Sequence, residues 1–134
     1  MDDRISLLDS AFDAFNAGDA EAWVKLSHPE VRLGALRYEL ESESYEGHDG
    51  IRRFFDDSAA TWEVARNEPL EYRPMGERLL VICRLTLRGR GSGAEVERTI
   101  GMLMSFRDGL IHRARTFSDL AAAEAAAADP TPFL

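Results

Sequence analysis

One cysteine, Cys83, stands in a chain of 134 residues, so no disulfide can close within it and no cysteine-based metal site can form. Long hydrophobic runs are missing too. No stretch approaches the roughly 18 apolar residues that a membrane-spanning helix needs. The opening segment MDDRISLLDS begins acidic and has no extended apolar core, so it does not read as a secretory leader. Positive charge is scarce: 16 Lys and Arg face 24 Asp and Glu, a formal net charge of −8 with a pI near 4.9. A nucleic-acid binder needs a basic face to neutralise phosphates, and an anionic membrane surface recruits the same kind of segment. Neither partner is expected, and the acidic balance reads first as solubility. The three histidines, His28, His48 and His112, show no metal-ligand spacing. The glycine-rich run GRGSG at 89–93 joins two strand patterns rather than a strand to a helix, unlike a phosphate loop. No metal and no cofactor are expected, and a cytoplasmic location is the default.

What remains is an ordinary globular composition, 45% hydrophobic and 30% charged, in one domain's length of chain. Residues 1–128 read as that domain and 129–134 as a loose tail behind Asp129-Pro130. Ile5, Leu8, Phe12 and Phe15 recur at three and four, the stripe of a first helix that Gly18 ends. Asp19 then caps a short second helix carrying Ala22, Trp23 and Leu26, closed by Pro29. Val31 to Leu36 reads as a short strand, while 37–48 gives mixed signals. A third helix starts near His48 or Asp49, with Ile51, Phe54, Phe55, Ala59 and Trp62 on one broad face.

Beyond Asn67 the period drops to two. Leu70 and Tyr72 fit a strand ended by Pro74 and Gly76. Leu79, Val81, Cys83, Leu85 and Leu87 then form a wholly apolar phase that should face the core. Val96, Arg98, Ile100, Met102, Met104 and Phe106 share one face of the next strand. Asp108-Gly109 marks a hairpin, a last strand runs from Leu110 to about Ser118, and an alanine-rich helix follows from about Asp119. Helices first and a meander afterwards predict an α+β fold with helices on one face of an antiparallel sheet. Leu80, Ile82 and Leu103 fall on the outer phase, an apolar patch that favours a homodimer.

Three stretches, AFNAGDAEAWVKL, YEGHDGIRRFF and SFRDGLIHRARTFSD, resemble the SnoaL-like branch of the nuclear transport factor 2-like, or ketosteroid isomerase-like, superfamily over residues 3–125. Their anchors are structural punctuation rather than chemistry, and this fold hosts enzymes and plain binding domains alike. The resemblance implies a curved antiparallel sheet forming a cone-like half-barrel. Three N-terminal helices and a short C-terminal one would close it around a deep pocket, usually without a cofactor and often in a dimer paired through the outer sheet face. Its members include isomerases, polyketide cyclases, epoxide hydrolases and dehydratases.

Matching through the Asn-Ala-Gly-Asp junction puts Ala11, Ala35 and Met102 where ketosteroid isomerases carry their tyrosine, base and protonated acid. None of the three can move a proton, which argues against that mechanism. Asp119, at the end of the last strand, is the candidate acid/base of a cyclase-like site, and an N-cap of the following helix is its alternative role. Arg98 shares its phase with Met102. Ile111, Arg113, Arg115 and Phe117 share another phase, which the resemblance turns toward the pocket. An inward arginine would need a partner carboxylate or an anionic ligand, and the same side chains could instead rest at the wet sheet edge. Arg115 is the candidate partner of Asp119 in catalysis. Arg98, Arg113, Tyr38, Trp23, Phe55, Trp62, Met102 and Phe117 are candidate substrate contacts, with Tyr45 beside Tyr38 in the stretch expected at the pocket mouth. The expected ligand is a small apolar or carbonyl- or carboxylate-bearing molecule. An isomerase, cyclase or hydrolase and a non-catalytic binding domain stand as the alternatives.

Overall fold

The structure is a computed structural model that describes residues 2–134. Helix α1 (Asp3–Ala17) starts where the Asp2 carboxylate accepts the Arg4 N–H at 3.0 Å. It ends at Gly18, whose φ of 69° is left-handed. Asp19 caps α2 (Ala20–Lys25) by accepting the Ala22 N–H at 3.1 Å. Strand β1 (Ser27–Gly34) begins four residues before the expected strand and runs through Pro29. The mixed segment resolves into a helical turn, α3 (Tyr38–Glu41), and a two-residue strand, β2 (Tyr45–Glu46). Helix α4 (Gly47–Thr61) follows, then β3 (Trp62–Met75), β4 (Arg78–Gly89), β5 (Glu95–Arg107), β6 (Leu110–Phe117) and α5 (Leu120–Ala128).

Trp62 therefore opens a strand instead of closing the third long helix. Its pairing with Gly89 starts a register that runs to Met75 opposite Arg78, and this long ladder overrides the helical stripe on which Trp62 falls.

The sheet order is β2-β1-β6-β5-β4-β3. β3 to β6 form the expected antiparallel meander, and the Asp108-Gly109 hairpin has positive φ at both residues, as a two-residue primed turn requires. β1 pairs with β6 in parallel, so the sheet is mixed rather than wholly antiparallel. Four strands and two helices separate β1 from β6 in the chain, enough for the long crossover that parallel neighbours need.

On the concave face, Leu79, Val81, Cys83, Leu85, Ile100, Met102 and Met104 join Leu8, Phe12, Trp23, Ile51 and Phe55 in one core. Leu80, Leu103 and Phe117 lie on the other face in a second cluster with Ala123, Ala127 and Phe133. α5 approaches so closely that a Cβ on Gly101 would stand 2.4 Å from the Ala123 Cβ. The outer patch expected to support a homodimer is thus covered at Leu80 and Leu103 by the chain's own last helix.

Residues 129–134, expected to be loose, are docked. Phe133 is 9% exposed, and the Arg78 guanidinium lies 5.0 Å from its ring centre. Arg78 also donates to the carbonyls of Ala126, Asp129, Pro130 and Thr131 at 2.6–3.2 Å. One cation thus ties the end of α5 to the segment that follows it.

Candidate functional site

A cavity of about 240 Å³ lies between the concave face and the helices. Phe12 and Phe15 of α1, Trp23 of α2 and Phe54 of α4 form its aromatic side. Leu85, Leu87, Ile100, Met102 and Met104 form its aliphatic side on the sheet. The volume lies somewhat below the range of about 300–1,000 Å³ typical of drug-sized sites, which fits a compact ligand.

The mouth is polar. Arg37 and Thr61 are exposed, and Asp57 and Ser58 half-buried. The helix that carries Phe54 inward carries Asp57, Ser58 and Thr61 along the same edge three, four and seven residues later. Tyr45 donates its hydroxyl to Asp57 Oδ2 at 2.7 Å. Burial, together with that hydrogen bond, holds the Tyr45 phenol above its ordinary value, so it stays protonated. Arg53 places its guanidinium carbon 5.3 Å from the centre of the Tyr45 ring. A second, polar hollow of about 260 Å³ shares Ala35, Arg37, Tyr45 and Asp57 with the first and adds Glu41, Glu43, Ser44 and Arg53. The Tyr45–Asp57 pair is thus a wall common to an apolar chamber and a wet vestibule. α3 is held at this mouth from behind, where Glu39 accepts the Ser118 N–H at 2.9 Å and its hydroxyl at 2.7 Å.

Two polar side chains line the cavity deep inside, Asn67 of β3 and Thr116 of β6. The Asn67 backbone is clamped by Asn16, which accepts its N–H at 2.7 Å and donates to its carbonyl at 2.8 Å. The Asn67 side chain is left with one weak bond, Nδ2 to Met102 Sδ at 3.4 Å, and its Oδ1 is buried with no partner. Such an orphan acceptor costs about 1–3 kcal/mol.

The sequence-derived candidates divide sharply. Trp23, Trp62 and Met102 line the cavity, as do Ala11 and Ala35. The three positions matched to the isomerase set therefore lie on the cavity wall, and all carry apolar side chains there. Phe55 is buried behind Phe54, with ring centres 5.8 Å apart, and does not line the cavity. Arg98 belongs to the exposed first part of β5.

Arg113, Arg115 and Phe117 face away from the cavity. The cause is a register shift between Ser105 and Phe106: Phe106 pairs with Ile111 and Ser105 with Arg113, so His112 is skipped. A single skipped residue reverses the phase of everything beyond it. Ile111 keeps its place in the core, but Ala114 and Thr116 face the concave side. Arg113 donates to the Glu30 carbonyl at 2.9 Å. Arg115 lies between the rings of Tyr38 and Phe117, 4.8 and 4.4 Å from their centres, and donates to the Phe133 carbonyl at 3.0 Å. Tyr38 is spent on that stack and does not line the cavity. Asp119 caps α5, accepting the Ala121 N–H at 3.2 Å, and is exposed outside the cavity. The proposed Asp119–Arg115 site is not assembled.

Sequence reasoning missed Asp57, Asn67 and Thr116. Asp57 had a usable signal, since it lies three residues after Phe54 at the edge of the apolar stripe. Asn67 and Thr116 had none, because their orientation depends on where β3 begins and where β6 slips.

His48 Nε2 is 3.0 Å from the Ser27 carbonyl, a structural contact. Cys83 is buried, and burial pushes its thiol up to about 12, so it stays protonated and unreactive near neutrality. Among the described residues no group of three or more His, Cys, Asp or Glu is arranged to hold a metal ion. No helix there is long and apolar enough to cross a membrane.

Comparison with solved structures places this architecture among cone-shaped relatives. TerC, co-crystallised with polyporic acid, matches with a TM-score of 0.78 at 19% identity, covering 96% of this chain and 100% of that one. RV0760c of Mycobacterium tuberculosis, in complex with estradiol-17beta-hemisuccinate, matches at 0.75 and 20%, covering 90% and 97%. A putative SnoaL-like polyketide cyclase from Jannaschia sp. CCS1 matches at 0.74 and 19%, covering 96% and 94%. At such identities the likeness establishes the fold. No curated protein is significantly similar in sequence. The SnoaL-like domain profile matches residues 8–114, and the chain belongs to the SnoaL-like family.

Proposed function

We propose that the domain binds a small, mostly apolar molecule in the cavity beneath Phe15, Trp23 and Phe54. The observation that carries this reading is the cavity itself: about 240 Å³ walled by aromatic rings on one side and aliphatic side chains on the other, opening through a polar mouth. Structural relatives solved with polyporic acid and with a steroid hemisuccinate support ring-bearing ligands of this kind. Trp23 and Trp62 line the cavity and serve as internal fluorescence reporters. Titration with such ring compounds should give saturable quenching. Met102→Trp, which fills the floor, should weaken binding by at least about tenfold with the far-UV spectrum unchanged. Equal binding by that variant, or no saturable binding by the wild type across the panel, overturns the reading.

A second reading, acid–base turnover of a carbonyl compound, is favoured by one pair. Asp57 is the carboxylate lining the cavity, and Tyr45 holds one of its oxygens while the other is unbonded. Asp57 would take a proton from carbon beside the carbonyl and return it after rearrangement, with neutral Tyr45 stabilising the carboxylate. Asp57→Asn should then abolish turnover while ligand still binds. Persistent turnover in that variant removes Asp57 from the chemistry.

A further inference from the structure

Two features make the inner end of the cavity chemically distinct from its mouth. Asn67 and Thr116 are 7% and 8% exposed, yet neither side chain has a good protein partner. The Asn67 amide has the weak thioether contact with Met102 and an orphan Oδ1, and no hydrogen bond joins the Thr116 hydroxyl to the rest of the described chain. Met102 links the two: it pairs with Thr116 across β5 and β6, and its Sδ accepts from Asn67 Nδ2 at 3.4 Å. Buried polar groups of a folded protein are normally paired, and here the Asn67 Oδ1 is buried without a partner in a hollow that Thr116 also lines. Nor can Asn67 withdraw, because Asn16 grips its backbone through two hydrogen bonds.

We propose that Asn67 and Thr116 form an inner station for a neutral hydroxyl group of the ligand, an alcohol, phenol or enol. A hydroxyl answers both groups at once: it donates to an amide oxygen and accepts from the threonine hydroxyl. A ketone accepts only, so it leaves the Asn67 oxygen unpaired. A carboxylate fares worst, since no cation lines this end. The one arginine on the cavity wall, Arg37, is exposed at the mouth and already donates to Glu41 at 2.9 Å, and an uncompensated charge in an apolar chamber is strongly disfavoured. The ligand thus enters hydroxyl first, with any ionic group left at the vestibule. This inference rests on the cavity-binding reading.

The test compares three probes on one skeleton, 2-naphthol, 2-methylnaphthalene and 2-naphthoate, by calorimetric titration. In the wild type 2-naphthol should bind at least about tenfold more tightly than 2-methylnaphthalene, and 2-naphthoate most weakly. Thr116→Val and Asn67→Leu, close in shape to the native residues, should each shrink the naphthol advantage and leave 2-methylnaphthalene binding intact or improved. Should Asn67→Leu fail to fold, Thr116→Val alone decides. Equal binding of naphthol and methylnaphthalene by the wild type, or an advantage unchanged in Thr116→Val, overturns the station while the cavity reading stands. Failure of all three probes to bind removes the cavity reading, and the station with it.

Discussion

The two faces of one sheet are built to opposite specifications. On the outer face, α5 carries alanines at the contact and Gly101 lies beneath Ala123 with no room for a Cβ between them. Arg78 occupies four carbonyls at the end of that layer, and Phe133 closes it. On the concave face, larger side chains meet less completely. They leave a hollow, and the Asn67 Oδ1 on its wall is buried without a partner. The lesson is that stability is concentrated where the backbone approaches closely, and binding capacity where side chains are left unfilled.

Substitution should expose that asymmetry. Gly101→Val should have the largest effect, since its side chain has nowhere to go under α5. A loss of about 3 kcal/mol in denaturant unfolding is expected, and an unchanged midpoint would show that α5 does not seal the outer face. Phe133→Ala should cost nearly as much, about 2–3 kcal/mol, toward or below the lower end of buried aromatic truncations because the residue sits at the rim. Wild-type stability in that variant would mean the last residues contribute little. The inner face should respond with the opposite sign: Thr116→Val removes a hydroxyl without a protein partner from a buried residue and should raise stability by about 1 kcal/mol or less. Destabilisation there would reveal a hydrogen bond made by the Thr116 hydroxyl.

The smallest expected effect is electrostatic. His112 is half-buried, and burial first, then Arg113, Arg107 and His28, lower its pKa from 6.5, against a weaker opposite pull from Glu30. The folded state then holds fewer protons than the unfolded one in the window just below 6.5. Stability present above that pH should fall as acid is added through the folded pKa. His112→Gln should flatten this part of the pH profile, and an unaltered slope would assign the effect elsewhere.

Much of the architecture was legible locally. The helix ends at Gly18, the cap at Asp19, the Asp108-Gly109 hairpin and the apolar phase of Leu79 to Leu85 are written in short-range chemistry, and each forms as expected. The site was far less legible. Trp23 and Met102 lie on unbroken patterns and line the cavity, whereas Arg113, Arg115 and Phe117 lie on the other face, and Asp119 takes the helix-capping role that was its alternative. The reversed phase of the three β6 side chains has one source, the register shift opposite Ser105 and Phe106, which no alternation pattern announces because it depends on how two strands meet. The docking of Phe133 was invisible for a related reason: a short polar-flanked tail has no period to read, and its stability comes from carbonyls gathered by Arg78 from a distant strand.

By itself, then, the sequence determined the main helices and strands, their order and most of the apolar phases that face the core, because caps, turns and periodicity act over a few residues. Tertiary structure alone decided the parallel seat of β1, the reversed phase of β6, the covering of the outer face and the pairing of Asp57 with Tyr45. Each of these depends on contacts between residues far apart in the chain, where a shift of one residue in strand pairing changes which side chains share the cavity.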